Sequence, residues 1–353
     1  MTHIERLRQS LDEHSCALID SDINRRYFTG MKSSAGTLLV FRDAAYFIID
    51  FRYIEKARKT AHSCEVILQD KLYEQICALI EKHSAKRVLI DSSDCTVKQL
   101  AALKSRLPCE IVSDDTLSDC ISSLRIVKTR EELDKMIAAQ RIAEKGLAHI
   151  SEFIREGRTE REIQLELDYY MLSHGAEALS FDTIALSGPN TSLPHGVPSD
   201  KRVEQGDFVL LDFGAVVDGW HSDMTRTLCV GEPSEEMRRV YDIVLRAQKA
   251  GLEAVKAGIS GRELDAVSRK IITDEGYGDA FGHSLGHGVG MEIHESPYAS
   301  PNVDDIINEG SVVTVEPGIY LEGKFGVRIE DFVIVTADGC INMTEAPKEL
   351  ICL

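Results

Sequence analysis

Along the first third of the chain, apolar residues recur in two alternating rhythms. Short apolar runs bounded by turn residues, CALIDS (16–21), GTLLVFRD (36–43), AAYFIID (44–50) and KRVLIDSS (86–93), predict strands. Between them, RYIEKARKTA (52–61) and KLYEQICALIEKHS (71–84) carry helical spacing. The alternation predicts a compact α/β domain that ends near ISSLRIVKT (121–129). Thr129 and Glu132 then form a capping box that opens a long helix. The boundary is therefore placed near residue 126, giving domains 1–126 and 127–353.

The second domain contains an internal echo. EGRTEREIQLELDYYMLSHG (156–175) starts at Gly157, is capped by Thr159 and Glu162, and stops at Gly175. AGISGRELDAVSRKIITDEG (257–276) starts at Gly258, is capped by Ser260 and Glu263, and stops at Gly276. Each pair, with Arg161 and Arg262, keeps a spacing of 101 residues. Two amphipathic helices can look alike by accident, but shared starts, caps and stops at one offset favour a duplicated helix-plus-sheet unit. Two such halves pack as a pseudo-symmetric α/β sandwich with a cleft between them.

Inside the first half, LLDFGAVVDGWHSDMTRT (210–227) places Asp212 and Asp223 around Asp218-Gly219. A two-residue turn there sets Val217 opposite Trp220, Asp212 opposite Thr225 and Asp223 opposite Gly214. The two carboxylates then share one face as diagonal neighbours, about 7–8 Å apart at the backbone. Either that face is solvated or a cation lies between the acids, since two buried carboxylates that close raise each other's pKa. Downstream, FGHSLGHGVGMEIHES (281–296) holds His283, His287 and His294, three of the chain's eleven histidines. SVVTVEPGIY (311–320) puts Glu316 in a β-branched run, and FGVRIEDFVIV (325–335) puts Arg328 and Glu330 on one face of an apparent strand. Four carboxylates and a neutral imidazole balance two divalent cations, and an oxygen-rich shell favours hard ions such as Mn(II).

Other motifs fail. GIYLEGKF (318–325) nearly has P-loop spacing, but Phe325 replaces the hydroxyl and a strand follows instead of a helix. GHGVG (286–290) has no Rossmann helix after it, and Tyr298 occupies the second His position of a zinc-protease pattern begun at His294. The 353 residues are 43% hydrophobic and 28% charged, as in a soluble globular protein of two domains. A net charge of −18 argues against nucleic-acid binding and against anionic membranes. The first residues lack the apolar core of a signal peptide, and no run is long enough to span a bilayer. Nine scattered cysteines with no Cys-x-x-Cys pair read as reduced thiols, so a cytoplasmic location is expected.

PHGVPSD (194–200), LLDFGAVVDGWHSDMTRT, GHSLGHGVGMEIHESPY, VVTVEPGIY and GVRIEDF together resemble the pita-bread metallopeptidases, specifically the Xaa-Pro peptidases aminopeptidase P and prolidase. INRRYFTG (23–30) and IIDFRY (48–53) look like that family's smaller domain. The resemblance implies a small N-terminal α/β domain and a pseudo-symmetric pita-bread catalytic domain, α/β (α+β) in class. It implies that Asp212, Asp223, His287, Glu316 and Glu330 hold two divalent metal ions, with Asp223 and Glu330 bridging. Mn(II) leads among the metals, with Co(II), Zn(II) and Fe(II) as alternatives. His195, His283 and His294 match histidines that contact substrate and steady the tetrahedral intermediate. Arg328 matches a residue beside the last ligand or on the substrate. The resemblance implies a metal-bridging hydroxide that would attack the carbonyl before Pro, with Glu316 as the group that would carry the proton to the leaving nitrogen. The implied substrates are proline-containing peptides, and the implied assembly is a homodimer. Trp220 departs from the family's usual Tyr, with an expected effect on the pocket wall only. Intact ligand positions count against the alternatives, a noncatalytic pita-bread binding protein or a methionine-aminopeptidase-like hydrolase.

Overall fold

The computed structural model describes residues 1–353, which form two compact units, Met1–Arg125 and Ile126–Leu353. The first is built on a six-stranded sheet with β1 (Ser15–Ile19), β2 (Thr37–Phe41), β3 (Ala45–Ile49), β4 (Glu65–Leu68), β5 (Arg87–Ile90) and β6 (Glu110–Val112). The strand order is β4-β3-β2-β1-β5-β6. The β1–β2 and β2–β3 pairs are antiparallel, and the three outer pairings are parallel. Parallel neighbours require crossover helices. These are α3 (Ile54–Thr60), α4 (Leu72–Lys82) and α5 (Val97–Arg106), alongside α1 (His3–Ser10), α2 (Asp22–Thr29) and α6 (Thr116–Ile126). The three central strands are buried along their whole length, which is why they read as continuous apolar runs. The edge strands β4 and β6 are half exposed, and at four and three residues they are too short to stand out.

The second unit repeats one plan twice. In the first half, α7 (Arg130–Phe153) and α8 (Glu160–Ser173) precede β7 (Ala178–Leu179), β8 (Ile184–Ser187), β9 (Phe208–Phe213), β10 (Ala215–Val217), β11 (Trp220–His221) and β12 (Met224–Cys229). In the second, α9 (Glu235–Ala254) and α10 (Gly261–Asp274) precede β13 (Gly286–Gly288), β14 (Glu295–Ala299), β15 (Val312–Val315), β16 (Gly318–Leu321), β17 (Phe325–Arg328), β18 (Asp331–Val335) and β19 (Cys340–Asn342). Both expected capping boxes are formed, Thr159 with Glu162 and Ser260 with Glu263. Gly157, Gly175, Gly258 and Gly276 all adopt positive φ, the backbone region that favours glycine. The repetition extends into backbone bonds. Gly157 N–H donates to Val203 O (2.8 Å) and Gly258 N–H to Ile307 O (3.0 Å). Arg161 N–H donates to Ser199 O (3.1 Å) and Arg262 N–H to Val303 O (2.7 Å).

Each half has its own main sheet, β12-β9-β8 and β14-β13-β15-β18-β19. Each also has its own apolar core, one around Leu147, Leu167 and Phe213 and one around Val244, Leu264 and Val333. From each sheet a hairpin leaves and returns, β10/β11 in the first half and β16/β17 in the second.

The halves differ where Glu160 meets the 187–199 segment. Its buried carboxylate accepts from the Ser187 and Ser199 backbone N–H groups (2.7 and 2.9 Å), from both hydroxyls, and from Asn190 Nδ2. Residue 261, its counterpart, is Gly, because a Cβ there would sit 2.1 Å from Tyr298 O. Removing the Glu160 carboxylate leaves two buried N–H donors without an acceptor, a loss of about 3 kcal/mol. Glu160→Ala is expected to lower the thermal midpoint by roughly 6–12 °C in a melting experiment, and a Gly261→Ala variant to fail similarly through the clash.

Candidate metal centre

The anticipated Asp212–Asp223 hairpin exists, with a discontinuity that its sequence did not advertise. Asp218 and Gly219 adopt positive φ at the turn, and Val217 pairs with Trp220. Thr225 pairs with Asp212, as counted. Between these ladders the regular pairing is interrupted at Gly214 and at Ser222–Asp223, and β10/β11 joins β7 in a separate sheet. A Cβ on Gly214 would lie 2.0 Å from Ser222 O, so only glycine permits the approach. Ser180 and Ser222 hydroxyls then occupy backbone groups at the break: Ser180 Oγ donates to Ser222 O (2.7 Å), and Ala215 N–H donates to Ser222 Oγ (3.0 Å). Asp223 is thus turned inward at the root of the hairpin, 3% exposed.

The second half places its acids equivalently. Glu316 follows β15 and Glu330 precedes β18, one step beyond the last paired residues, Val315 and Asp331. Residues 325–335 are therefore two strands, not the single one expected, because the chain changes sheets at Ile329–Glu330. His287 comes from β13, its backbone N–H donating to Thr314 Oγ1 (3.0 Å) and its Nδ1 lying 3.1 Å from Gly288 O. Its Nε2 stands 3.6 Å from Asp223 Oδ2 and 3.4 Å from Glu316 Oε1. Ligand atoms of Asp223, His287 and Glu330 all lie within 4.8 Å of one another.

A polar scaffold fixes this cluster from behind. The buried Arg328 guanidinium donates from NH2 to Asp212 Oδ2 (2.6 Å), from NH1 to the Tyr320 hydroxyl (2.7 Å), and from Nε to Thr225 Oγ1 (3.1 Å). Thr225 Oγ1 donates to Glu330 Oε2 (2.6 Å). His283 Nε2 lies 2.9 Å from the Tyr320 hydroxyl, and its Nδ1 lies 2.8 Å from Ser284 O. One layer deeper, Arg226 donates to Glu330 O (2.6 Å) and pairs with Asp331 (2.8 Å), both nearly inaccessible. Tyr320, Thr225 and Arg226 were not singled out in the sequence. Thr225 had a usable signal, since the hairpin register set it opposite Asp212.

Electrostatics make the cluster self-repelling. Burial pushes the Asp223 carboxyl well above the usual range, and Glu330, Asp212 and Glu316 push it further. Glu316 is raised by burial and by Glu330, and Glu330 is raised to about 8 by burial and Asp212. Burial lowers His287 to about 3, with His294 adding to the effect, and lowers His283 to about 4 with help from Arg328. Asp212 Oδ1 is buried with no hydrogen-bond partner. A neutral imidazole, an orphaned carboxylate oxygen and three acids held against their own ionisation make a donor set that divalent cations fit.

All nine residues named from the sequence, His195, Asp212, Asp223, His283, His287, His294, Glu316, Arg328 and Glu330, line one cavity of about 750 Å³. Phe181, Ile184, Val197, Ile293 and Tyr298 give it apolar walls. Trp220 is buried against the first half and is not among the lining residues.

Comparison with known proteins agrees with this geometry. The model of metallopeptidase family M24 matches residues 134–337, and that of the creatinase/prolidase N-terminal domain matches residues 3–127. An Xaa-Pro dipeptidase of Pyrococcus furiosus is 38% identical over 352 residues, 99% of each chain. The solved Xaa-Pro dipeptidase from Bacillus anthracis superposes with a TM-score of 0.95 at 42% identity, covering 99% of each chain. An X-Pro aminopeptidase structure from Thermotoga maritima gives 0.92 at 35% identity, covering 98% of this chain and 100% of its own.

The shifted pKa values set a pH dependence. A carboxyl raised in the folded state binds more protons folded than unfolded, so its contribution is present at low pH and lost as pH rises through the folded value. The two lowered histidines oppose this only below 6.5, their unfolded value. Metal-stripped protein is therefore expected to lose stability from about pH 6.5 to 8, read as falling denaturation midpoints. Metal-loaded protein should show no such decline, and Glu330→Gln should lessen it in the stripped form.

Proposed function

The chain belongs to metallopeptidase family M24, and we propose that it is a metal-dependent exopeptidase that hydrolyses the bond between an N-terminal residue and proline. The observation that carries this reading is the convergence of Asp212, Asp223, Glu316, Glu330 and His287 on one cavity, with Asp212 Oδ1 left without a partner. The relatives that are named Xaa-Pro peptidases supply the substrate class.

In this reading those five residues would hold two divalent ions, with Mn(II) favoured by the oxygen-rich donors. When bound, the ions supply a water ionised near neutral pH and a Lewis-acid pull on the scissile carbonyl. The remaining work belongs to the chain. Glu316, beside His287 at the cavity wall, takes a proton from the attacking water and delivers it to the proline nitrogen. That delivery is indispensable because the nitrogen of a prolyl bond carries no hydrogen and must be protonated to leave. His294, packed edge-on against His287 with ring centroids 4.3 Å apart, donates to the oxygen that gains charge. His195 and His283 contact the substrate from the cavity wall, His283 being oriented by Tyr320. Arg328 holds Asp212 and Tyr320 in place and faces the substrate with what remains of its surface. A homodimer and a cytoplasmic location complete the proposal, the latter fitting the nine free thiols.

The test uses metal-stripped protein, restored with Mn(II), on Ala-Pro, Ala-Pro-Ala-Ala and Ala-Ala-Ala-Ala, with products read by mass spectrometry. Metal-dependent cleavage before Pro and an intact control are expected. Equal cleavage of the control refutes the specificity, and no cleavage with Mn(II), Co(II), Zn(II) or Fe(II) refutes the activity. Glu316→Gln is expected to lower kcat by roughly 10²–10⁴-fold. Asp223→Asn is expected to abolish metal-dependent turnover, and near wild-type activity in the metal-replete variant would refute the ligand set.

A further inference from the structure

The loop that carries His294 closes over a buried ion pair. β13 and β14 pair as far as Gly288 and Glu295, with a register shift after His287, and residues 289–294 between them form the loop. Val289, Gly290 and Met291 are buried, whereas His294 is exposed and lines the cavity. Glu295, the next residue, is turned inward. Its side chain is 8% exposed, and its Oε1 accepts from Lys128 Nζ at 2.6 Å, the Lys128 side chain being wholly inaccessible. Lys128 is tethered in turn. Its backbone N–H donates to Gly310 O (3.0 Å), its Nζ also donates to Ile126 O (3.2 Å), and its neighbour Val127 bridges to Ser311.

The loop is wound around the Glu295 carboxylate. Glu292 N–H donates to Glu295 Oε2 (3.4 Å), and a Cβ on Gly290 would sit 2.2 Å from Oε1. Gly290 is not among the glycines at positive φ, so the carboxylate, and not the backbone angle, excludes a side chain there. Gly290 O also accepts from His221 N–H (2.9 Å), which ties the loop to β11. An ion pair this buried gains little stability over apolar residues of the same volume. What it supplies here is a directional anchor directly behind His294.

His294 depends on such an anchor more than the other cavity histidines of its half do. His283 is oriented by Ser284 O and the Tyr320 hydroxyl, and His287 by Gly288 O. The His294 ring has no hydrogen bond to the chain and only packs edge-on against His287. Its place in the cavity therefore follows from its backbone, and that backbone is shaped around Glu295. Resting on the proposed Xaa-Pro activity and on the role given there to His294, we propose that Lys128 and Glu295 are positioning residues. They fix the 289–294 loop and so set His294 for donation to the oxygen that gains charge. Their loss acts on kcat, because a donor misplaced by about 1 Å forfeits much of its effect on the transition state.

The test uses the Mn(II)-loaded chain on Ala-Pro and Ala-Pro-Ala-Ala, with two changes made in wild type and in His294→Ala. Lys128→Met with Glu295→Gln leaves no unpaired buried charge, and Gly290→Ala keeps both charges while crowding the carboxylate. Each is expected to lower kcat about 10–100-fold, with KM and metal content near those of wild type. In the His294→Ala background each should cost less than about twofold more, because the pair acts through that ring. Amide hydrogen exchange over 289–294 should quicken in both. Wild-type kcat in the variants, losses that multiply in full with His294→Ala, or losses accounted for by missing metal would overturn the proposal. Should the Lys128/Glu295 variant not fold, the Gly290→Ala comparison decides. If wild type cuts neither peptide, the activity fails on its own account. Exchange over 289–294 then decides whether the pair holds the loop, and unchanged exchange overturns that as well.

Discussion

Four carboxylates brought against one another inside a protein are the constraint on which this structure turns. Each of Asp223, Glu316 and Glu330 is held away from its usual ionisation by burial and by its neighbours. No hydrophobic gain offsets such an arrangement locally, so the surrounding structure must enforce it. The enforcement is visible in the buried Arg328, which answers part of the negative charge from behind, while the deeper Arg226 is neutralised by Asp331. Burial alone would lower the Arg328 pKa, but Tyr320, Asp212, Glu316 and Glu330 hold its guanidinium firmly charged. One interior cation against four acids leaves a deficit on the cavity side, and the proposed ions answer it.

Duplication explains how one chain builds so costly a centre. Each half contributes a sheet whose hairpin departs and returns, and each departure carries an acid on either side, Asp212 and Asp223 in one half, Glu316 and Glu330 in the other. Strands that change sheets lose ladder partners at the crossing, which frees the side chains there to point inward. The close backbone approach at Gly214 is the visible signature of that crossing. The imidazole breaks the symmetry. His287 lies in β13, whereas the residue 101 positions earlier, Leu186 of β8, is a buried apolar side chain next to Gly196.

Much of this was legible in the amino-acid sequence because its signals are local. Capping boxes, stop glycines and buried apolar runs depend on neighbours within a few residues, and the helices α7, α8 and α10 start at their capping boxes as read. The Asp218-Gly219 turn fixed a register that extends correctly to Asp212 and Thr225. What escaped is non-local. The splitting of 325–335 into two strands depends on which sheet each segment joins, and β4 and β6 are short strands that pair at the sheet edges. Tyr320 was invisible for the same reason, since its partners Arg328 and His283 are brought to it by a hairpin and by a loop some 37 residues away.

A duplicated fold also supplies its own internal reference, because one half shows the resting use of a residue that the other half has redirected. Glu160 binds the 187–199 segment through five donors, while Gly261 in the same position lets backbone approach Tyr298 directly. That anchored segment carries Pro194 and His195 to the cavity, so the first half spends its buried carboxylate on shaping the wall. Arg161 follows it in sequence and lines the same cavity, whereas Arg262, paired with Asp304, does not. The two neighbours diverge from their twins in the same direction, toward the cavity. It is the pattern expected when one copy of a repeat keeps the scaffold and the other shapes the cavity.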